Sequence, residues 1–305
     1  MVWDLLLAQA LNGLQYGVLL FLLGAGLTLV LGIMSFVNLA HASFYMLGAY
    51  IGATVFLSTG SFVVGGLASV LGAFLIGVVV ERTTLLAFYQ RDHLDQVLAT
   101  FGLILMFNEI VRIIWGSQPI YMRPPAALTG TVNVLGTAYP SYRFLVILVG
   151  LAVAVALYVV IHHTRLGMLI RAGASNARMV SVLGVNIRLL NTLIFGFGAA
   201  LAGLAGLMAG PILSVQPGMG DYVLIAVLVV IVIGGIGSIR GAFFGALIVG
   251  VVDTVGRTYL PLLLRQIADR TTADAAGPAL ASLLMYLFMV VVLAIRPEGL
   301  FPARR

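Results

Sequence analysis

The chain has 305 residues, 62% of them hydrophobic and 9% charged, against roughly 25% charged and 45–50% apolar in a soluble domain. Too little polar surface remains for a water-soluble globular protein. The net charge of +6 rests on arginine alone, with no lysine anywhere, and in an apolar chain such an excess marks cytoplasmic loops rather than a nucleic-acid surface.

Residues Met1 to Asp4 lack a basic leader, and the apolar run from Leu5 to about Leu31 reads as a helix that stays in place. A helix needs ~20 mainly apolar residues to cross the ~30 Å hydrocarbon core. By that rule the predicted spans lie near 5–31, 35–57, 62–80, 97–115, 143–161, 189–213, 222–236, 239–256 and 279–295. The expectation is an all-α, polytopic integral membrane protein forming one domain over 1–305. The seventh and eighth spans are short and meet at GGIGSIRG, Gly234 to Gly241. They are either two short helices or one re-entrant pair, so the count is eight or nine.

Orientation follows arginine, which is retained on the cytoplasmic side. Segment 163–188 carries Arg165, Arg171, Arg178 and Arg188 with no acid, and the C-terminus carries Arg296, Arg304 and Arg305. Nine spans then place the N-terminus outside and the C-terminus inside. Arg257, Arg265 and Arg270 fall on the outer side, partly balanced by Asp269 and Asp274.

Glycine is patterned: Gly198, Ala202, Gly206 and Gly210 lie four apart, and the pairs Gly13/Gly17, Gly48/Gly52 and Gly241/Gly245 repeat the spacing. Small residues at this spacing let helix backbones approach closely in lipid. Packing within one subunit is the expected use.

Four groups of residues bear on chemistry. Cysteine is absent and His41, His93, His162 and His163 have no metal-ligand spacing, so no metal and no cofactor of the chain's own is expected. Without lysine there is no GxxxxGK[ST] phosphate loop, and any ATP that drives the protein is hydrolysed by a partner. Asn38, His41 and Ser43 open an otherwise apolar span, where they either face the inner mouth of a pathway or cap the following helix. In the fourth span Asn108 and Glu109 are pathway candidates, with Arg112 three residues beyond Glu109 forming either an intrahelical pair near the outer boundary or part of a gate.

A further group is the inner segment Thr164 to Arg188, which mixes arginines with apolar residues. It suits an amphipathic segment lying on anionic lipid or a helix docking into a cytoplasmic partner. Met179, Val180 and Leu183 can share a helical face, and Gly184 is placed to end the helix.

The stretches LNGLQYGVLLFLLGAGLTLVLGIMSFVNLAHASFYMLGAY, RLGMLIRAGASNARMVSVLGVN, FGFGAALAGLAGLMAGPI, GGIGSIRGAFFGALIVG and RPEGLF resemble, in order, the LivH-type permeases of branched-chain amino acid ABC importers. The resemblance runs from Leu11 to Phe301. It implies a pore-forming subunit in a bacterial inner membrane that pairs with a LivM-type second permease, two cytoplasmic ATPase subunits using ATP and Mg, and a periplasmic substrate-binding protein. It also favours the docking reading, making 171–186 an ATPase-coupling loop with Arg171, Asn176, Arg178, Met179, Val180, Leu183 and Gly184 as candidate contacts. Many relatives carry an acid after the turn that here reads His41-Ala42-Ser43, so no acidic substrate contact is assigned there. A stand-alone secondary transporter or channel is the competing expectation, since glycine-broken helices also line such sites. It lacks buried acids arranged for ion coupling.

Overall fold

The computed structural model describes residues 2–267 and 269–302. Ten α-helices follow in order: α1 (Val2–Met34), α2 (His41–Thr59), α3 (Phe62–Thr83), α4 (His93–Trp115), α5 (Ser141–His163), α6 (Arg165–Val182), α7 (Ile187–Leu213), α8 (Met219–Gly234), α9 (Ile239–Leu264) and α10 (Arg270–Ile295). Among the described residues eight helices are long and apolar enough to cross a membrane. The seventh expected span, α8, has 16 residues, about 24 Å at 1.5 Å per residue. It falls short of the hydrocarbon core, so the doubt between eight and nine was a property of the fold. The arginine-rich α6 is the one long helix outside that apolar set.

Helix boundaries differ from the sequence reading in informative places. The second span was expected from residue 35, but Ser35 adopts φ 48° and α2 begins only at His41. The final two helices are longer than expected, because Pro261 and Pro278 lie inside α9 and α10 rather than ending them. The segment before α5 carries a hairpin of β1 (Thr131–Val134) and β2 (Thr137–Pro140), paired antiparallel. Tyr139 and Arg143 both donate to Asn12 Oδ1, at 3.1 and 2.6 Å, which pins this hairpin to the start of α1.

The chain contains an inverted repeat. Asn12 and Asn191, Gly17 and Gly196, Gly24 and Gly203, and Ser35 and Ser214 recur at one fixed interval, and both serines hold positive φ, 48° and 65°. Each serine ends a long helix at the same kind of break, followed by a short extended stretch and a new helix. Tyr142 near the start of α5 donates to the Met208 carbonyl near the end of α7, while its neighbour Arg143 reaches the start of α1. Thus α1 and α7 run in opposite directions, as in transporters built from inverted-topology repeats. The third helix of each repeat packs on the first helix of the other: α9 on α1 and α3 on α7.

The glycine pattern explains how these helices meet. A β-carbon at Gly48 would overlap the backbone of Gly203, and one at Gly26 would collide with Gly198. Gly13 and Gly17 lie against the α9 backbone near Gly250 and Ala246, while Gly241 meets Gly234. Every expected small-residue pair therefore makes contacts inside the subunit, where van der Waals packing replaces the hydrophobic force that lipid removes. Helices α1 and α7 are the most buried spans, whereas α3, α4, α5 and α10 present mostly exposed apolar faces.

Candidate functional site

Asn38, His41 and Ser43 are buried in the core, at 1%, 1% and 3% exposure. The capping expectation is corrected: α2 has no side-chain cap, and the Asn38 carbonyl instead accepts from the His41 backbone at 3.4 Å. Both side-chain atoms of Asn38 lack a hydrogen-bond partner of normal geometry. The His41 ring lies edge-on to Phe44, which in turn contacts Phe107 and Phe195. These residues brace the meeting of α1, α2, α4 and α7, and none lines the cavity between α1, α5, α6 and α9.

The break before α8 lies against the same region. Gly218 N–H donates to Met46 Sδ at 3.3 Å, and Gly220 abuts the Ala42 carbonyl. Ala42 and Met46 belong to the first turns of α2, whose His41 lies against Gly26 of α1, and Met219 and Gly220 are buried, so α8 starts inside the helix bundle. Asp221 follows in its first turn. Asn108 on α4 donates to Asp221 Oδ2 at 3.1 Å, while Arg112 donates to Glu109 Oε1 at 2.7 Å with both side chains more than half exposed. Trp115, at the end of α4, lies tilted against Tyr50 and donates to Thr54 Oγ1, so this end meets the C-terminal half of α2. The intrahelical Glu109–Arg112 pair is formed, on an exposed face of α4.

Asp221 escaped the sequence reading. Its signal was present, an acid directly after the helix-breaking run Gln216-Pro217-Gly218, but the fold is needed to place that run inside the helix bundle. Polar and ionisable groups within membrane spans normally face a water-filled cavity or another chain. Here Asn108, Glu109, Arg112 and Asp221 all open outward from this subunit.

The coupling candidates lie on α6 and the turn after it. Asn176 breaks the helix, with φ −156° and ψ 87°, and its Oδ1 accepts from Met179 N–H at 2.9 Å, so it caps a second short helical piece. Gly184 ends that piece with φ 87°. The expected face is corrected in one member: Val180 is buried, and Met179, Val182 and Leu183 are exposed at 59%, 77% and 76%. Arg178 is exposed beside them, whereas Arg171 donates to the Ile161 carbonyl at the base of α5. No cluster suited to a metal ion occurs among the described residues.

A polytopic helical bundle with an inverted repeat, broken helices and an exposed arginine-rich helix between two spans defines a membrane permease. The chain belongs to the family described as branched-chain amino acid transport system permease component, whose model matches residues 9–293. It is 29% identical to the high-affinity branched-chain amino acid transport system permease protein BraD of Pseudomonas aeruginosa, covering 96% of this chain and 95% of that protein. Its identity to LivH of Escherichia coli K12 is 26%, covering 96% and 94%. The ribose import permease RbsC of the same organism is 28% identical, over 76% of this chain and 72% of RbsC. No solved structure matches.

Proposed function

We propose that this protein is the pore-forming permease subunit of an ATP-driven importer for branched-chain amino acids or closely related small solutes. The carrying observation is the polar strip of α4 and α8: Asn108, Glu109 and Arg112 of the apolar span α4 and Asp221 in the first turn of α8 open outward from the subunit. A strip of this kind forms one wall of an aqueous pathway, closed by a second permease subunit of LivM type. Two cytoplasmic ATPase subunits supply ATP and Mg, and a periplasmic binding protein delivers the solute.

In this reading α8 and the non-helical stretch before it together complete a ninth traverse, so the N-terminus lies outside and the C-terminus inside a bacterial inner membrane, with α6 on the cytoplasmic side by its arginines. The exposed Met179, Val182 and Leu183 dock into an ATPase groove, and Arg178 orients the contact at its rim. Asn38, His41 and Ser43 act as a buried brace behind the pathway.

The test is uptake of labelled leucine into proteoliposomes containing the assembled importer and its binding protein, with ribose as a control solute. Leucine accumulation that requires ATP supports the proposal. Accumulation by this chain alone without ATP would replace it with a stand-alone transporter.

A further inference from the structure

A cavity of about 1400 Å³ opens between α1, α5, α6 and α9. Its body is apolar, built from Phe21, Leu151, Val155, Phe243 and Phe244 among others, and it runs along α1 from Phe21 to Ile33. That interval is about 18 Å of helix. Its mouth carries Arg171, Arg240, His93 and His162, and no acidic residue lines it. Arg240 makes no ion pair or side-chain hydrogen bond among the described residues. On the wall Thr28, 1% exposed, has a hydroxyl with no hydrogen-bond partner.

The polar strip proposed as the pathway wall lies on α4 and α8, and its residues do not line this cavity. The two regions also have opposite chemistry. The strip holds carboxylates, whereas the cavity is apolar inside and basic at the mouth. The mouth lies beside the arginine-rich segment, so on the orientation proposed above it opens at the cytoplasmic leaflet. Basic pockets between membrane helices on that side match anionic lipid headgroups.

We propose that this cavity holds one anionic phospholipid of the inner leaflet. Arg240 and Arg171 take the phosphate at the mouth, and an acyl chain lies along α1 against Phe21, Leu151, Val155 and Phe243. Thr28 stands beside that chain near the glycerol ester groups and supplies them a donor. Because Arg171, Ala174 and Ser175 of α6 form part of the rim, the lipid braces the coupling segment against α1 and α5. The importer is thereby tuned by the anionic lipid content of its membrane.

The experiment is native mass spectrometry of the assembled importer after exchange into phosphatidylglycerol or phosphatidylcholine. The wild type is expected to retain one phosphatidylglycerol at this chain more firmly than phosphatidylcholine. Arg240→Gln should weaken phosphatidylglycerol retention roughly fivefold, the effect of one basic residue near a charged lipid surface, and leave phosphatidylcholine unchanged. Ala154→Trp, which fills the body of the cavity, should abolish retention of both, and inorganic phosphate should not compete. Equal retention of the two lipids by wild type and Arg240→Gln, or full retention by Ala154→Trp, overturns the proposal. Displacement by inorganic phosphate overturns it too, since the mouth would then be a free-anion site. All of these readouts are independent of which solute is carried, so failure of the substrate reading leaves them interpretable.

Discussion

Asn108 on α4 and Asp221 on α8 are joined by a 3.1 Å hydrogen bond that links two helices on the outer surface of the subunit. If this surface is the wall of an aqueous pathway, a neighbouring position is reachable by water. The chain has no cysteine, so Tyr222→Cys, at a residue 79% exposed, gives a single reporter in a complex of cysteine-free partners. It should react with a membrane-impermeant thiol reagent, and faster with a cationic than an anionic one. Asp221→Asn should reduce that preference by a few fold. An unreactive Tyr222→Cys would assign the surface to a dry subunit contact.

Leu183→Asp puts a charge in the exposed apolar face of Met179, Val182 and Leu183. Uptake and substrate-stimulated ATP hydrolysis should fall together by at least about tenfold, as when a buried interface anchor worth ≥ ~1.4 kcal/mol is lost. Insertion should be normal because no span is changed. Retention of both activities in an assembled complex would make the segment a lipid-surface helix.

Gly48→Ala places a methyl group into the Gly203 backbone, whereas Gly102 has nothing within 4 Å of the same added atom. Overpacking costs about 1–3 kcal/mol, so Gly48→Ala should lower the thermal midpoint of the purified subunit. Gly102→Ala should leave it unchanged or raise it, since helical glycine is less favourable than alanine by roughly 0.5–1 kcal/mol.

Glu81 is fully buried near the C-terminal end of α3, where it accepts from Tyr89 at 2.6 Å and Thr192 at 2.8 Å. Burial, together with the hydrogen bond to Glu81, raises the Tyr89 pKa and keeps the phenol a donor. Tyr89→Phe or Thr192→Val deprives a buried acid oxygen of its donor, at about 1–3 kcal/mol. Either change should lower thermal stability, and the double variant should cost less than the two effects added if the donors act as one network. Additive losses would show two independent contacts.

Topology is testable through Ser175, exposed on α6. Ser175→Cys should be labelled by an impermeant reagent only after the membrane is opened. Labelling in intact cells would reverse the proposed orientation. Ala303, the natural second position for such a label, lies outside the described residues.

Much of this protein was legible in its sequence because the bilayer imposes a length and a composition on every span. The apolar runs therefore announced the helices, with the seventh and eighth spans both read as short, and the fold makes α8 short but α9 a 26-residue helix. The arginine-rich segment was equally plain, since lipid excludes charge from neighbouring stretches. Local rules also placed Gly184 correctly at a helix end, because a positive φ there favours glycine.

What hydropathy could not reveal was which face of each helix meets which neighbour, because lipid and a packed interior are equally apolar. Val180 and Leu183 look alike in the sequence, yet packing buries one and leaves the other exposed. Asn38 and His41 read as cap or pathway residues, but the crossing of α1, α2 and α7 encloses them. The pairing of Asn108 with Asp221 spans more than a hundred residues. It exists only because the second inverted repeat brings the broken start of α8 into the helix bundle beside α4, a relationship set by tertiary packing and invisible to local periodicity.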